Sequence, residues 1–151
     1  MKMKSFTLVC AILIGTWGHS GVSVGQTVRQ AKGNLVSSAQ QRAINAGIAK
    51  LKLSGERSVA REWTEEKQVA EFICRPAALP ALAKKLKGAD RVFLGNNDPE
   101  SLSLESTTKL VGVGQARFEG GWRDFSFECL MDAKTAKVKN FQITLVPLAT
   151  I

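Results

Sequence analysis

Gly120-Gly121 stands between two alternating runs in residues 110–131, which read LVGVGQARFEGGWRDFSFECLM. Two glycines in that position suit a two-residue type I′ turn, which needs positive φ at both central residues. A hairpin closed there sets Arg117 opposite Asp124, Ala116 opposite Phe125, Gly114 opposite Phe127, Gly112 opposite Cys129 and Leu110 opposite Met131. Side chains alternate between the two faces of a strand. One face then carries Leu110, Ala116, Phe118, Phe125, Phe127, Cys129 and Met131, and is the expected core face. The other carries Gln115, Arg117, Asp124, Ser126 and Glu128 and is expected to be wet, with Arg117–Asp124 as an ion pair. Gly114 would make room for Phe127, and Gly112 for a sulfur bridge at Cys129. A one-residue slip would turn the Phe rings outward, so the faces are strongly specified.

The N-terminus constrains where such a domain resides. Met1-Lys2-Met3-Lys4 is a positive start, Phe6 to Ile14 an apolar run too short to span a bilayer, and Ser23-Val24-Gly25 a small-residue cleavage site. The pattern is that of a secretory signal peptide. Cys10 lies inside the apolar run without the small preceding residue that lipidation requires. Residues 1–25 are therefore read as the signal peptide, with a periplasmic or secreted destination and no transmembrane segment after cleavage. The exported part keeps Cys74 and Cys129. An oxidising compartment favours a disulfide between them, with two buried thiols as the alternative.

Composition excludes some chemistry. The chain has one histidine and no tyrosine. His19 leaves with the signal peptide, so no Ser-His-Asp or Cys-His site and no His-containing or Cys₄ zinc site can form. No cofactor and no metal site are expected, and catalytic residues are assigned to none of the side chains. Gly112-Val113-Gly114 begins a G-x-G-x-x-R string. It sits in a hairpin, without the third glycine and following helix of a dinucleotide fingerprint.

Charge is placed unevenly. Residues 26–61 carry Arg29, Lys32, Arg42, Lys50, Lys52, Arg57 and Arg61 against the single acid Glu56. This block is a candidate contact for an anionic envelope surface through Arg42, Lys50, Lys52, Arg57 and Arg61. It lacks the interleaved aromatics of a single-stranded nucleic-acid binder, and no specific nucleic acid is expected. Within it, Ala43, Ile44, Gly47, Ile48 and Leu51 form a stripe of helical period over residues 39–51. Ser54-Gly55 is read as its end. The block is expected to be dispensable for folding of residues 62–151.

The remaining elements follow from local signals. Thr64 with Glu65 and Glu66 starts a helix containing Val69, Phe72, Ile73 and Cys74. Arg75-Pro76 is read as a break. A further helix over 76–86 stops at Gly88. Strands are expected at 91–94, at 101–105 and over 137–146, with Phe141, Ile143 and Leu145 facing inward. The organisation is thus a signal peptide (1–25), a basic arm and helix (26–61) and an α+β domain (62–151). Its N-terminal helices pack on one face of a C-terminal antiparallel β-meander with one disulfide.

Two function classes remain. The first is a non-catalytic binding or interaction domain of the envelope, with an unknown protein or anionic surface as partner. Trp122 beside Arg123 is its candidate contact, since exposed aromatics and arginines anchor interfaces. The alternative is a small carboxylate-dependent hydrolase. It would draw on Asp98, Glu100, Glu105, Glu119, Asp124 and Glu128, although no spacing marks a catalytic pair.

Gly112, Gly114, Arg117, Gly121, Trp122, Phe125, Phe127, Cys129, Asp132, Thr135, Lys137, Val138 and Phe141 form a longer pattern. It resembles a family of small exported bacterial proteins of unknown function, and EFICRPAAL and ADRVFLG upstream are similar to it as well. The resemblance covers about residues 71–141. It implies an exported one-disulfide domain and no activity. Ala136 stands where the family pattern has glycine. If that position needs positive φ, alanine costs about 1 kcal/mol there.

Overall fold

The computed structural model describes residues 35–147, all of them within one compact unit. The expected signal peptide, with Cys10 and His19, and the basic residues Arg29 and Lys32 lie outside the described residues. Helices come first: α1 (Ser38–Ala49), α2 (Ser54–Glu62), α3 (Glu65–Val69) and α4 (Arg75–Ala83). Five antiparallel strands follow: β1 (Arg91–Leu94), β2 (Leu102–Ser106), β3 (Lys109–Phe118), β4 (Gly121–Met131) and β5 (Val138–Leu145). The fold is α+β, as expected. β1 and β2 lie end to end along one edge of β3, and β4 and β5 continue the sheet on its other side.

The core lies between the sheet and the helices. Phe125, Phe127, Cys129, Met131, Leu110, Ala116 and Ile143 face Ile44, Val69, Ile73, Cys74, Ala78 and Leu82 within it. Phe141 stacks on Phe127 with ring centroids 5.2 Å apart. A disulfide joins Cys74 to Cys129 and ties the helical layer to β4.

α1 is part of this core. Ile44 and Ile48 are buried, and burying two such side chains contributes about 3–6 kcal/mol. The start of the helix is fixed by a capping box: Gln40 N–H donates to Ser37 Oγ (3.1 Å), and Ser37 N–H donates to Gln40 Oε1 (2.9 Å). The same two side chains anchor it elsewhere. Gln40 Nε2 donates to Thr107 O between β2 and β3, and Ser37 Oγ donates to Ala133 O after β4. Gly47, a weak helix former, leaves the space Phe72 occupies: a Cβ there would lie 2.5 Å from the ring. The helix of this block thus belongs to the core, through buried side chains and long-range hydrogen bonds, where the sequence suggested an arm dispensable for folding.

Two further corrections concern the helices. Ser54 begins α2 instead of ending a segment; Glu56 reaches back to Leu53 N–H (3.4 Å) at its start. Arg75-Pro76 is no break. A π-helical turn (Ala70–Cys74) joins α3 to α4, with Arg75 N–H bonded to Ala70 O five residues back. Proline has no N–H and its ring crowds the carbonyl four residues earlier; a wider turn just before it relieves both problems.

The hairpin keeps its faces but shifts its register by two residues. The turn is Glu119-Gly120, with Phe118 paired to Gly121, Gly114 to Phe125, Gly112 to Phe127 and Leu110 to Cys129. Positive φ falls on Gly121 (+111°) and not on Gly120, so the type I′ turn on Gly120-Gly121 does not form. Gly114 makes room for Phe125 rather than Phe127, and Gly112 for Phe127 rather than the disulfide. Ala136 takes φ +58° in the loop between β4 and β5, the conformation glycine would adopt without strain.

Candidate functional site

Strand alternation puts odd residues of β1 and β3 and even residues of β4 on the face of the sheet away from the helices. Four large apolar side chains are exposed there: Phe93 on β1, Val113 on β3, Trp122 on β4 and Val146 just after β5. Elsewhere among the described residues only Leu53 and Val59, both in or beside α2, are comparably exposed. Trp122 is 50% exposed and Phe93 42%. Their rings stack at 5.8 Å with an interplanar angle of 21°. Trp122 pairs with Arg117 and Phe93 with Gln115, so the indole reaches diagonally over β3 to the phenyl ring of β1.

The polar groups of this face are engaged with one another. Asp124 lies opposite Gln115, whose Nε2 donates to Asp124 Oδ1 at 2.7 Å. The expected Arg117–Asp124 ion pair is absent for the same reason that the register moved: Asp124 sits opposite residue 115. Arg117 instead forms a two-pronged bond to Asp90, Nε to Oδ1 at 2.8 Å and Nη2 to Oδ2 at 2.7 Å. That bond holds the Asp90 carboxyl below its ordinary pKa and the guanidinium above its own. Lys109 sits between Glu105 (3.1 Å) and Glu128 (3.5 Å), and the hydrogen bond it donates to Glu105, with both carboxylates' charge, holds its proton more tightly than usual.

Trp122 and Arg123 are not brought together. Successive side chains of β4 point to opposite faces, and Arg123 lies across from buried Ala116 on the core-facing side. Its Nε is buried without a hydrogen-bond partner. The second contact on the outer face is Phe93, which the sequence reading passed over as one residue of a short strand. Its signal was the alternation Arg91-Val92-Phe93-Leu94, in which burying Val92 and Leu94 turns Phe93 outward.

The basic candidates are distributed over α1, α2 and their junction. Arg42, Lys50, Lys52 and Arg61 are exposed, and none forms an ion pair among the described residues. Arg57 differs: its Nη1 donates to Leu51 O (2.6 Å) and Lys52 O (3.1 Å), closing the turn between α1 and α2. It is a structural residue of that corner.

Five of the six carboxylates considered for hydrolysis, all but Glu100, have structural partners. Asp98 accepts from Glu100 N–H, Glu119 pairs with Lys87 at 3.5 Å, Asp124 accepts from Gln115, and Glu105 and Glu128 share Lys109. No group of three or more His, Cys, Asp or Glu residues among the described residues could hold a metal ion. No helix among them is long and apolar enough to cross a membrane.

No family model, curated protein or solved structure matches the chain. Five residues have clear physical duties around this hairpin. Gly112 and Gly114 admit Phe127 and Phe125, Arg117 holds Asp90, Gly121 closes the turn, and Cys129 ties the sheet to the helices.

Proposed function

We propose that this chain is an exported, non-catalytic binding domain of a bacterial envelope, and that it engages its partner through the outer face of the sheet around Trp122 and Phe93. The observation that carries the reading is the gathering of Phe93, Val113, Trp122 and Val146 on one side of the sheet, where no described element covers them. Exposed aromatic side chains supply large contact area at small conformational cost, which is why they anchor interfaces. Export is supported by the N-terminal pattern and by the Cys74–Cys129 disulfide, a bond that persists in oxidising compartments. The test is capture from envelope extract on the protein purified from an exporting host, beside a Trp122→Ala/Phe93→Ala variant of equal melting temperature. Selective retention by the first supports the reading. Equal retention by both removes the outer face from it. Intact mass of the exported form checks the other half: cleavage near Gly25 is expected, and a full-length mass from the extracytoplasmic fraction would refute export.

A second contact is favoured by a separate observation. Leu53 (62% exposed) and Val59 (54%) accompany exposed Lys50, Lys52 and Arg61 in the α1–α2 region. Exposed aliphatics with basic neighbours suit an anionic lipid surface, where each Lys or Arg contributes about 1 kcal/mol. Vesicle binding that falls with salt, and falls again in Lys50→Glu/Lys52→Glu, supports this contact; no binding at low salt removes it.

A further inference from the structure

Phe93, Gln115 and Asp124 stand in register across β1, β3 and β4, and Val146 N–H bonds to Asp124 O at the end of the same rung. The rung therefore runs aromatic, amide, carboxylate, aliphatic. Beside it lies a concavity of about 390 Å³ whose lining includes Asn96, Val113, Gln115, Asp124 and Val146. Trp122 precedes Asp124 by two residues on the same face, about 7 Å along the strand and on the side of the rung away from the concavity, and its half-exposed ring stacks on Phe93 at the aromatic end of the rung.

The charge pattern narrows what can sit there. Arg117 is closed by Asp90, and Lys109 by Glu105 and Glu128. Arg91 is exposed on this face without an ion pair among the described residues, but one free cation is not the concentration that a nucleic acid or a phosphate-rich polymer requires. It also lacks the contiguous apolar centre of a protein interface, because Gln115, Asp124, Ser126 and Thr144 interrupt the apolar residues. What remains is an exposed aromatic face beside planar hydrogen-bonding groups. Gln115 uses its Nε2 and Asp124 its Oδ1 on each other, which leaves Gln115 Oε1 and Asp124 Oδ2 free of any hydrogen bond among the described residues. A pyranose ring matches this set: its C–H face packs against an aromatic ring, and its rim hydroxyls donate to carboxylate and amide oxygens.

We infer that the outer face is a glycan-binding site for a neutral sugar chain of the cell envelope, with Trp122 as the stacking platform and Asp124 with Gln115 as the hydroxyl acceptors. The inference rests on the proposed binding role of this face and names its ligand class. The experiment titrates the purified protein with soluble tetramers of β-1,4-linked N-acetylglucosamine and of glucose, following tryptophan fluorescence, and sediments it with insoluble cell-wall glycan. At least one sugar is expected to give a saturable change. Trp122→Ala should abolish it, Asp124→Asn should weaken binding about tenfold or more, the loss of one charge-assisted hydrogen bond, and Lys84→Ala, exposed on the helical layer, should leave it unchanged. Saturable binding that survives both Trp122→Ala and Asp124→Asn would overturn the assignment. So would the absence of any sugar or cell-wall binding. In that event, an envelope protein that protects Trp122 would leave the face as a protein-docking site. Absence of protection by any envelope component would remove the underlying binding role as well.

Discussion

Replacing Cys74 and Cys129 together by alanine is the most informative perturbation of the fold. The bond spans 55 residues of sequence, and loop closure on that scale removes about 4 kcal/mol of unfolded-state entropy. Both cysteines are fully buried, with the Cys74 sulfur in van der Waals contact with Met131 Sδ at 3.8 Å. Deleting two buried sulfurs adds about 1 kcal/mol each for lost contacts and residual space. The total, about 4–6 kcal/mol, is a large part of the roughly 5–15 kcal/mol that holds a typical domain together. The assay is urea unfolding at 25 °C on three samples: oxidised protein, reduced protein and the double variant. At a slope of about 1.5–2 kcal/mol per molar urea, the cross-link alone moves the midpoint by about 2–3 M. The reduced sample isolates the cross-link, because it keeps the sulfurs. The slope should also rise when the bond is removed, since the unfolded chain expands. A reduced protein whose midpoint lies within about 0.5 M of the oxidised one would refute the argument that the bond acts by constraining the unfolded chain.

Three further outcomes are expected. A truncation beginning at Glu62 should fail to give a cooperative thermal transition, because it loses Ile44, Ile48 and the Gln40 bond to Thr107; a sharp transition in the truncated chain would show that α1 is an appendage after all. Ala136→Gly should raise stability by up to about 1.5 kcal/mol, as relief of left-handed strain (about 1–2 kcal/mol) exceeds the extra unfolded-state entropy of glycine (about 0.4–1 kcal/mol); a lower melting temperature would contradict this. Asp132 has its pKa lowered to about 2 by Lys139 and by the N–H groups of Lys134 and Thr135. A lowered folded-state pKa gives stability that is complete above the unfolded value of about 3.9 and is lost as pH falls from there toward 2. Asp132→Asn should therefore flatten the acid limb of the stability profile in that window while leaving its shape near neutrality unchanged, and an unaltered acid limb would refute the role.

The core face of the hairpin was legible because alternation admits only two choices, and the Phe residues settle between them. Register was not, because sliding a strand by two residues preserves every face. That choice was made by the turn at Glu119-Gly120 and by the fit of Phe125 and Phe127 over Gly114 and Gly112, which are tertiary facts. The same slide moved Asp124 from Arg117 to Gln115 and freed Arg117 for Asp90. Thr64 was readable as a cap from its own neighbourhood, and its Oγ1 accepts from Lys67 N–H. The continuity through Pro76 was not readable, because a π-helical turn leaves no compositional mark. α1 was underestimated for a related reason: the charges around it suggested an arm, whereas Ile44 and Ile48 needed a partner surface that only the folded sheet and α3 provide. Of the outer face, Trp122 was visible as an aromatic in a wet position. Phe93 became its companion only through the pairing of β1 with β3.

The claim that the outer sheet face is the binding face is tested most directly by tryptophan footprinting in envelope extract. Trp63, stacked on Phe72 at 6.0 Å and less exposed, serves as the internal reference, while Trp122 stands half exposed on the outer face. Mild oxidative labelling followed by peptide mass spectrometry reads both residues in one sample. The account predicts that envelope extract protects Trp122 and leaves Trp63 unchanged. Equal labelling of Trp122 with and without extract would contradict it.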